Sequence, residues 1–120
     1  MNNQNINKTK VLFAQGENEL ARAKSFAAGN DDGKARTSAR RAAGFYLEGL
    51  LLLNQKDFYG KSFMSFLRGL TVDNDVPVQV KNSAGILVNK PNGLNGEAAI
   101  SHAEIIIEYC KSEFNKLAGN

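Results

Sequence analysis

The amino-acid sequence predicts an all-α fold, an up-and-down bundle of four to five helices forming one domain. Three observations carry this expectation. Apolar and small residues recur at spacings of three and four along most of the chain, which puts them on one face of an α-helix. Residues that begin and end helices punctuate that pattern at short intervals. The one alternating apolar segment, Val76, Val78 and Val80, has no second strand in the chain to pair with.

The first helix is expected from Leu12, Gly16, Leu20, Ala23 and Ala27, after an Asn-rich start over residues 1–7 that should fray. Gly29 and Asn30 should stop it, because both accept the left-handed conformation that ends helices. Asp31 or Asp32 can cap a second helix, whose stripe of Ala39, Ala43, Tyr46, Leu50 and Leu53 is widened by Ala42, Leu47 and Leu51 to about half the circumference. So broad a stripe suits a central helix. Its small residues, Ala39, Ala42, Ala43, Gly44 and Gly49, invite close packing within the chain or across a dimer.

Asn54, Gln55 and Lys56 read as a break, and Asp57 as the cap of a third helix with Tyr59, Phe63, Phe66, Leu67 and Leu70 on one face. A fourth helix follows from Asp75 as cap, Pro77 in the first turn, and Val80, Ala84, Leu87 and Val88 at helical spacing. NKPNGLNG, residues 89–96, is the strongest loop signal in the chain. Asn95 should cap the last helix, with Ala99, Ala103, Ile106, Cys110, Phe114 and Leu117 as its stripe and Gly119-Asn120 as its end.

At 120 residues and 42% hydrophobic content the chain can bury one core without disulfides or metals. Its single cysteine, Cys110, cannot pair within the chain, and the start MNNQNINKTK lacks the apolar core of a signal peptide, so a cytoplasmic home is expected. The longest apolar run, LEGLLLL, falls far short of the ~20 residues a membrane helix needs. No membrane contact is expected. The net charge of +3 permits contact with polyanions but is small beside that of a dedicated nucleic-acid binder.

The chemistry-bearing residues are few. Glu97, His102, Glu104 and Glu108 gather on the last helix, but His102 and Glu104 are two residues apart and diverge by about 200° around the axis, which suits a solvated face better than a metal site. His102 is the sole histidine, at the border of the core stripe, and Cys110 lies on the stripe itself, where it serves as a small core residue. The glycines follow no phosphate-loop spacing. No cofactor and no catalytic residue are expected.

One feature stands out from a solvated surface. KARTSARR, residues 34–41, opens the second helix with Lys34, Arg36, Arg40 and Arg41 and no acid among them. The helix dipole favours anions at that end. The four form two neighbouring rows, Arg36 with Arg40 and Lys34 with Arg41, and are the candidate anion or RNA-backbone contact. Such contacts are salt-sensitive and indifferent to base sequence.

The chain as a whole, residues 8–118, resembles the HEPN domains, a family of small helical bundles. ARRAAGFYLEGLLLLNQKDFYGKSFMSFLRGL looks like the family's second helix, a short break and an aromatic third helix. DVPVQVKNSAGILVN looks like the next helix, and GEAAISHAEIIIEYCKSEF like the closing one. The resemblance implies a homodimer, and in many members a metal-independent ribonuclease motif in which a histidine follows an arginine by four to six positions. The corresponding region here, GILVNKPNGLNG, holds neither residue; Asn89 and Lys90 stand near the place and His102 lies too far along. What the resemblance then implies is a non-catalytic domain acting on a partner protein such as a nucleotidyltransferase, on a nucleotide, or on RNA. The alternatives are a degenerate ribonuclease toxin relying on His102, and a structural helical adaptor without a ligand.

Overall fold

A computed structural model describes residues 3–119. Five α-helices, α1 (Asn3–Ala28), α2 (Asp32–Leu51), α3 (Phe63–Val72), α4 (Val78–Asn89) and α5 (Gly96–Leu117), form an all-α bundle with no strand among the described residues. Helix α2 is central: it packs on α1, α3 and α5, while α4 closes the bundle against α3 and α5. No described helix is long and apolar enough to cross a membrane.

The Asn-rich start is helical from Asn3 onward. Thr9, fully buried, donates its hydroxyl to the Gly49 carbonyl at 2.7 Å, and the Asn5 amide reaches the Leu52 carbonyl at 3.3 Å. These bonds tie the first turns of α1 to the end of α2. Met1 and Met1's neighbour at position 2 lie outside the described residues. Helix α1 then ends where expected, with Asn30 at φ 61°.

Asp31, of the two candidate caps, accepts the Lys34 N–H at 3.1 Å. Asp32 turns elsewhere and accepts the Gly96 N–H at 3.0 Å, which pins the start of α5 to the start of α2. The small residues of α2 are consumed inside the chain. A Cβ on Gly44 would lie 2.4 Å from the Phe63 ring, and one on Gly49 3.0 Å from Phe13. Of the two uses the sequence left open for them, intrachain packing is the one these residues serve.

Two helix starts differ from expectation. Asp57 begins only a single 3-10 turn, Asp57–Tyr59, and Gly60 at φ 74° then breaks the direction of the chain. Helix α3 starts after Ser62, whose side chain and that of Ser65 cap each other's backbone N–H reciprocally. Tyr59 is nevertheless buried, packed on Gly69, and its hydroxyl donates to Asp73. At α4 the cap position falls on Pro77 and not on Asp75, whose backbone N–H bonds to the Asp73 carboxylate instead. Helix α5 starts as expected, with the Asn95 side chain accepting the Ala98 N–H at 2.7 Å. Its Ala99, Ala103, Ile106 and Cys110 are fully buried.

Candidate functional site

The first two turns of α2 carry the four cations on opposite flanks of the helix. At about 100° per residue, Arg36 and Arg40 lie together on one side and Lys34 and Arg41 on the other, with buried Ala35, Ala39 and Ala42 between them. The two rows therefore face different neighbours.

Arg36 and Arg40 turn toward the loop between α4 and α5. The Arg40 Nε–H donates to the Leu87 carbonyl at 3.0 Å, one of the carbonyls left without an intrahelical partner in the last turn of α4. Arg36 donates from NH1 to the Leu94 carbonyl at 2.9 Å. The loop folds over them because Lys90 ends α4 in the left-handed conformation, φ 49°, its N–H bonded to the Ile86 carbonyl at 3.1 Å. The result is a concavity of about 450 Å³ lined by Arg36, Arg40, Lys90 and the Pro91–Asn95 loop, with Asp32 at its edge.

The electrostatics of this concavity are predominantly positive. No carboxylate pairs with Arg36, Arg40 or Lys90 among the described residues, and the one acid on the lining, Asp32, accepts the Gly96 N–H, so three cations face a single carboxylate. Burial, and then the charge of Arg36 one turn away, push the Arg40 guanidinium below its ordinary pKa. Each guanidinium has five N–H donors, and each spends a single one on a backbone carbonyl. An anion seated here would meet two fork-shaped donors and an ammonium.

Lys34 and Arg41 turn toward α1. Together with Arg22, Phe26, Ser38 and Glu19 they line a groove of about 330 Å³. Glu19 is buried, with Oε1 bonded to Arg22 at 3.3 Å and Oε2 lying 3.5 Å from Arg41 Nε. Arg22 and Lys34 sit over the Phe26 ring at 5.9 and 5.6 Å from its centroid, and Arg41 over Phe45 at 5.7 Å. These cations are compensated by Glu19, Asp31 and aromatic faces, unlike the Arg36 and Arg40 pair.

The other chemistry-bearing residues are dispersed. His102 Nδ1 lies 3.0 Å from the Ser83 hydroxyl, a clasp between α5 and α4, and lines neither the concavity nor the groove. Cys110 is fully buried. Glu104 and Glu108 are drawn to separate lysines, Lys24 at 3.3 Å and Lys111 at 3.8 Å. Glu48, half-buried, forms no ion pair among the described residues.

Sequence reasoning found the two arginine rows but missed what completes each. Lys90 joins Arg36 and Arg40 through a contact 50 positions along the chain, and no local pattern announces it. Glu19 joins Arg41 across the α1–α2 contact. Its only sequence signal is its place beside Leu20 on the inward face of α1. No protein-family model, no curated protein and no solved structure matches the chain.

Proposed function

We propose that the chain is a non-catalytic, HEPN-like helical module that binds a phosphate-bearing ligand, RNA or a nucleotide, in the Arg36, Arg40 and Lys90 concavity. The observation that carries this reading is the pair of like charges held one helical turn apart, partly buried, with no carboxylate between them. Such an arrangement is unfavourable on its own and is relieved by an anion. Guanidinium forks match phosphate oxygens in pairs, and their remaining donors give the ligand directional bonds as well as charge.

The reading of the module as non-catalytic is supported by the same geometry. Phosphodiester cleavage of the metal-independent kind needs a group to move a proton beside the phosphate. The only histidine is engaged with Ser83 and does not line the concavity. Contacts from Arg36, Arg40 and Lys90 act on phosphate, so affinity is indifferent to base sequence and falls with salt.

Fluorescence anisotropy of a labelled short RNA tests the assignment at low salt. Wild type is expected to bind, and Arg36→Gln with Arg40→Gln to weaken binding by about tenfold or more, in line with the loss of charge-assisted hydrogen bonds. Binding that persists unchanged in that double variant contradicts the assignment.

We also propose that a homodimer, which the family resemblance implies, forms through the apolar groove between the start of α1 and the end of α2. Val11, 60% exposed, lines it with Leu12 and Leu52, and Lys8 and the ion-pair-free Glu48 stand on its rim. Under a two-fold axis the same patch meets itself, and the proposed pairing sets Lys8 of one copy against Glu48 of the other, twice. Sedimentation should show Glu48→Lys shifting dimer to monomer and Lys8→Glu with Glu48→Lys restoring it. A wild type that sediments as a monomer at high concentration overturns the dimer.

A further inference from the structure

On the α1 side of α2, away from the Arg36 and Arg40 concavity, two buried polar residues line one groove, each with a side-chain oxygen that makes no hydrogen bond among the described residues. Glu19 is 7% exposed, and its Oε2 accepts no hydrogen bond. The nearest cation, Arg41 Nε, lies at 3.5 Å and does not form one. Ser38 is 5% exposed, and its hydroxyl has no partner among the described residues. A helical serine or threonine ordinarily returns its hydroxyl to a carbonyl one turn earlier. Thr37 does so, to Gly33 at 3.1 Å, while its neighbour Ser38 does not.

Leaving the buried Glu19 Oε2 without a hydrogen bond costs free energy, and the Ser38 hydroxyl is a second group that bonds to nothing among the described residues. Both line the groove of about 330 Å³, which lies at the small end of the range that holds ligands. Arg41, half-exposed, lies over Glu19 Oε2 on the solvent side of the groove. Seven residues along α1 from Glu19, about 10 Å by helical rise, Phe26 marks the other end of the groove, with Arg22 and Lys34 gathered over its ring.

We propose that this groove binds a nucleoside monophosphate, the base edge against Glu19 and Ser38 and the phosphate at Lys34. Glu19 Oε2 is an acceptor and the Ser38 hydroxyl a donor. A nucleobase edge presents an N–H next to a ring nitrogen or carbonyl and satisfies both at once. The base-to-phosphate span of a nucleotide suits the length between the two ends. The site uses neither arginine of the concavity and stands independently of it.

The test is calorimetric titration of the full chain with GMP, AMP, CMP, UMP and inorganic phosphate, the last to separate the phosphate contact from the base contact. At least one nucleotide is expected to bind tenfold or more tightly than inorganic phosphate. Glu19→Gln and Ser38→Ala are each expected to weaken that nucleotide by about tenfold. Circular dichroism checks that Glu19→Gln remains folded; should it not, Ser38→Ala decides, since it leaves the Glu19 charge and its arginines in place. The proposal is overturned if no nucleotide binds more tightly than phosphate, or if Ser38→Ala binds as well as wild type.

Discussion

Three donors meet on the Asp73 carboxylate: the Lys56 ammonium at 2.7 Å, the Tyr59 hydroxyl at 2.7 Å and the Asp75 backbone N–H at 3.0 Å. Burial alone would raise the Asp73 pKa, but Lys56, the Asp75 N–H and Tyr59 together outweigh it and hold the group below its ordinary value. A carboxylate depressed in the folded state stabilises the fold fully above its unfolded pKa, about 4, and loses that contribution as the pH falls through the folded value. Asp73→Asn is therefore expected to cost about 1.5–3 kcal/mol near neutrality and to make acid unfolding shallower, which denaturant titrations across pH 2–7 will show. Cys110 gives a second check at this scale. Burial, with the Glu113 charge adding to it, pushes its thiol up, so a thiol reagent should modify the chain only after denaturation. His102 gives a third: with its ring held by Ser83, RNA incubated with the protein in EDTA is expected to stay intact, and gel analysis that shows cleavage abolished by His102→Ala contradicts the non-catalytic reading.

Among the elements, glycines separate two effects that a helix propensity scale merges. Gly44 and Gly85 both sit inside helices, where alanine is favoured by about 1 kcal/mol. A Cβ at Gly85 meets nothing within 4 Å, whereas one at Gly44 would lie 2.4 Å from Phe63. Gly85→Ala should raise the stability by about 0.5–1 kcal/mol. Gly44→Ala should lower it by about 1–3 kcal/mol, because overpacking against Phe63 exceeds the propensity gain. Urea denaturation of the two variants checks both signs. The contrast also marks how far the helices were legible in the sequence. Spacing and punctuation located all five, and Asp31, Asn30 and Asn95 serve as the local signals indicated. The starts of α3 and α4 were not legible, because Tyr59 is drawn into the core from a 3-10 turn and Asp73 competes for the backbone around Asp75. Those outcomes are set by contacts between elements, which a local pattern does not contain.

Across the molecule, the arginine-rich opening of α2 divides between two neighbours, and the division decides its chemistry. Arg36 and Arg40 were visible in the sequence as one row, but their significance comes from the α4–α5 loop, which supplies Lys90 and two backbone carbonyls while withholding any free carboxylate. Lys34 and Arg41 were visible as the other row and meet Glu19 instead. Three cations without an ion-pair partner at one site set a salt dependence: for single-stranded RNA the slope of log affinity against log salt is expected near −2, at about 0.7 per phosphate contact. Removing Arg36 and Arg40 should bring it below about −1 in magnitude. The most direct measurement of the central claim is an NMR titration of the full chain with short RNA, following the arginine Nε–H signals and the backbone amides. The account predicts that Arg36 and Arg40 Nε–H and the Lys90, Asn92 and Gly93 amides shift together and saturate at one concentration. Saturable shifts confined to other surfaces, with these five unmoved, contradict it.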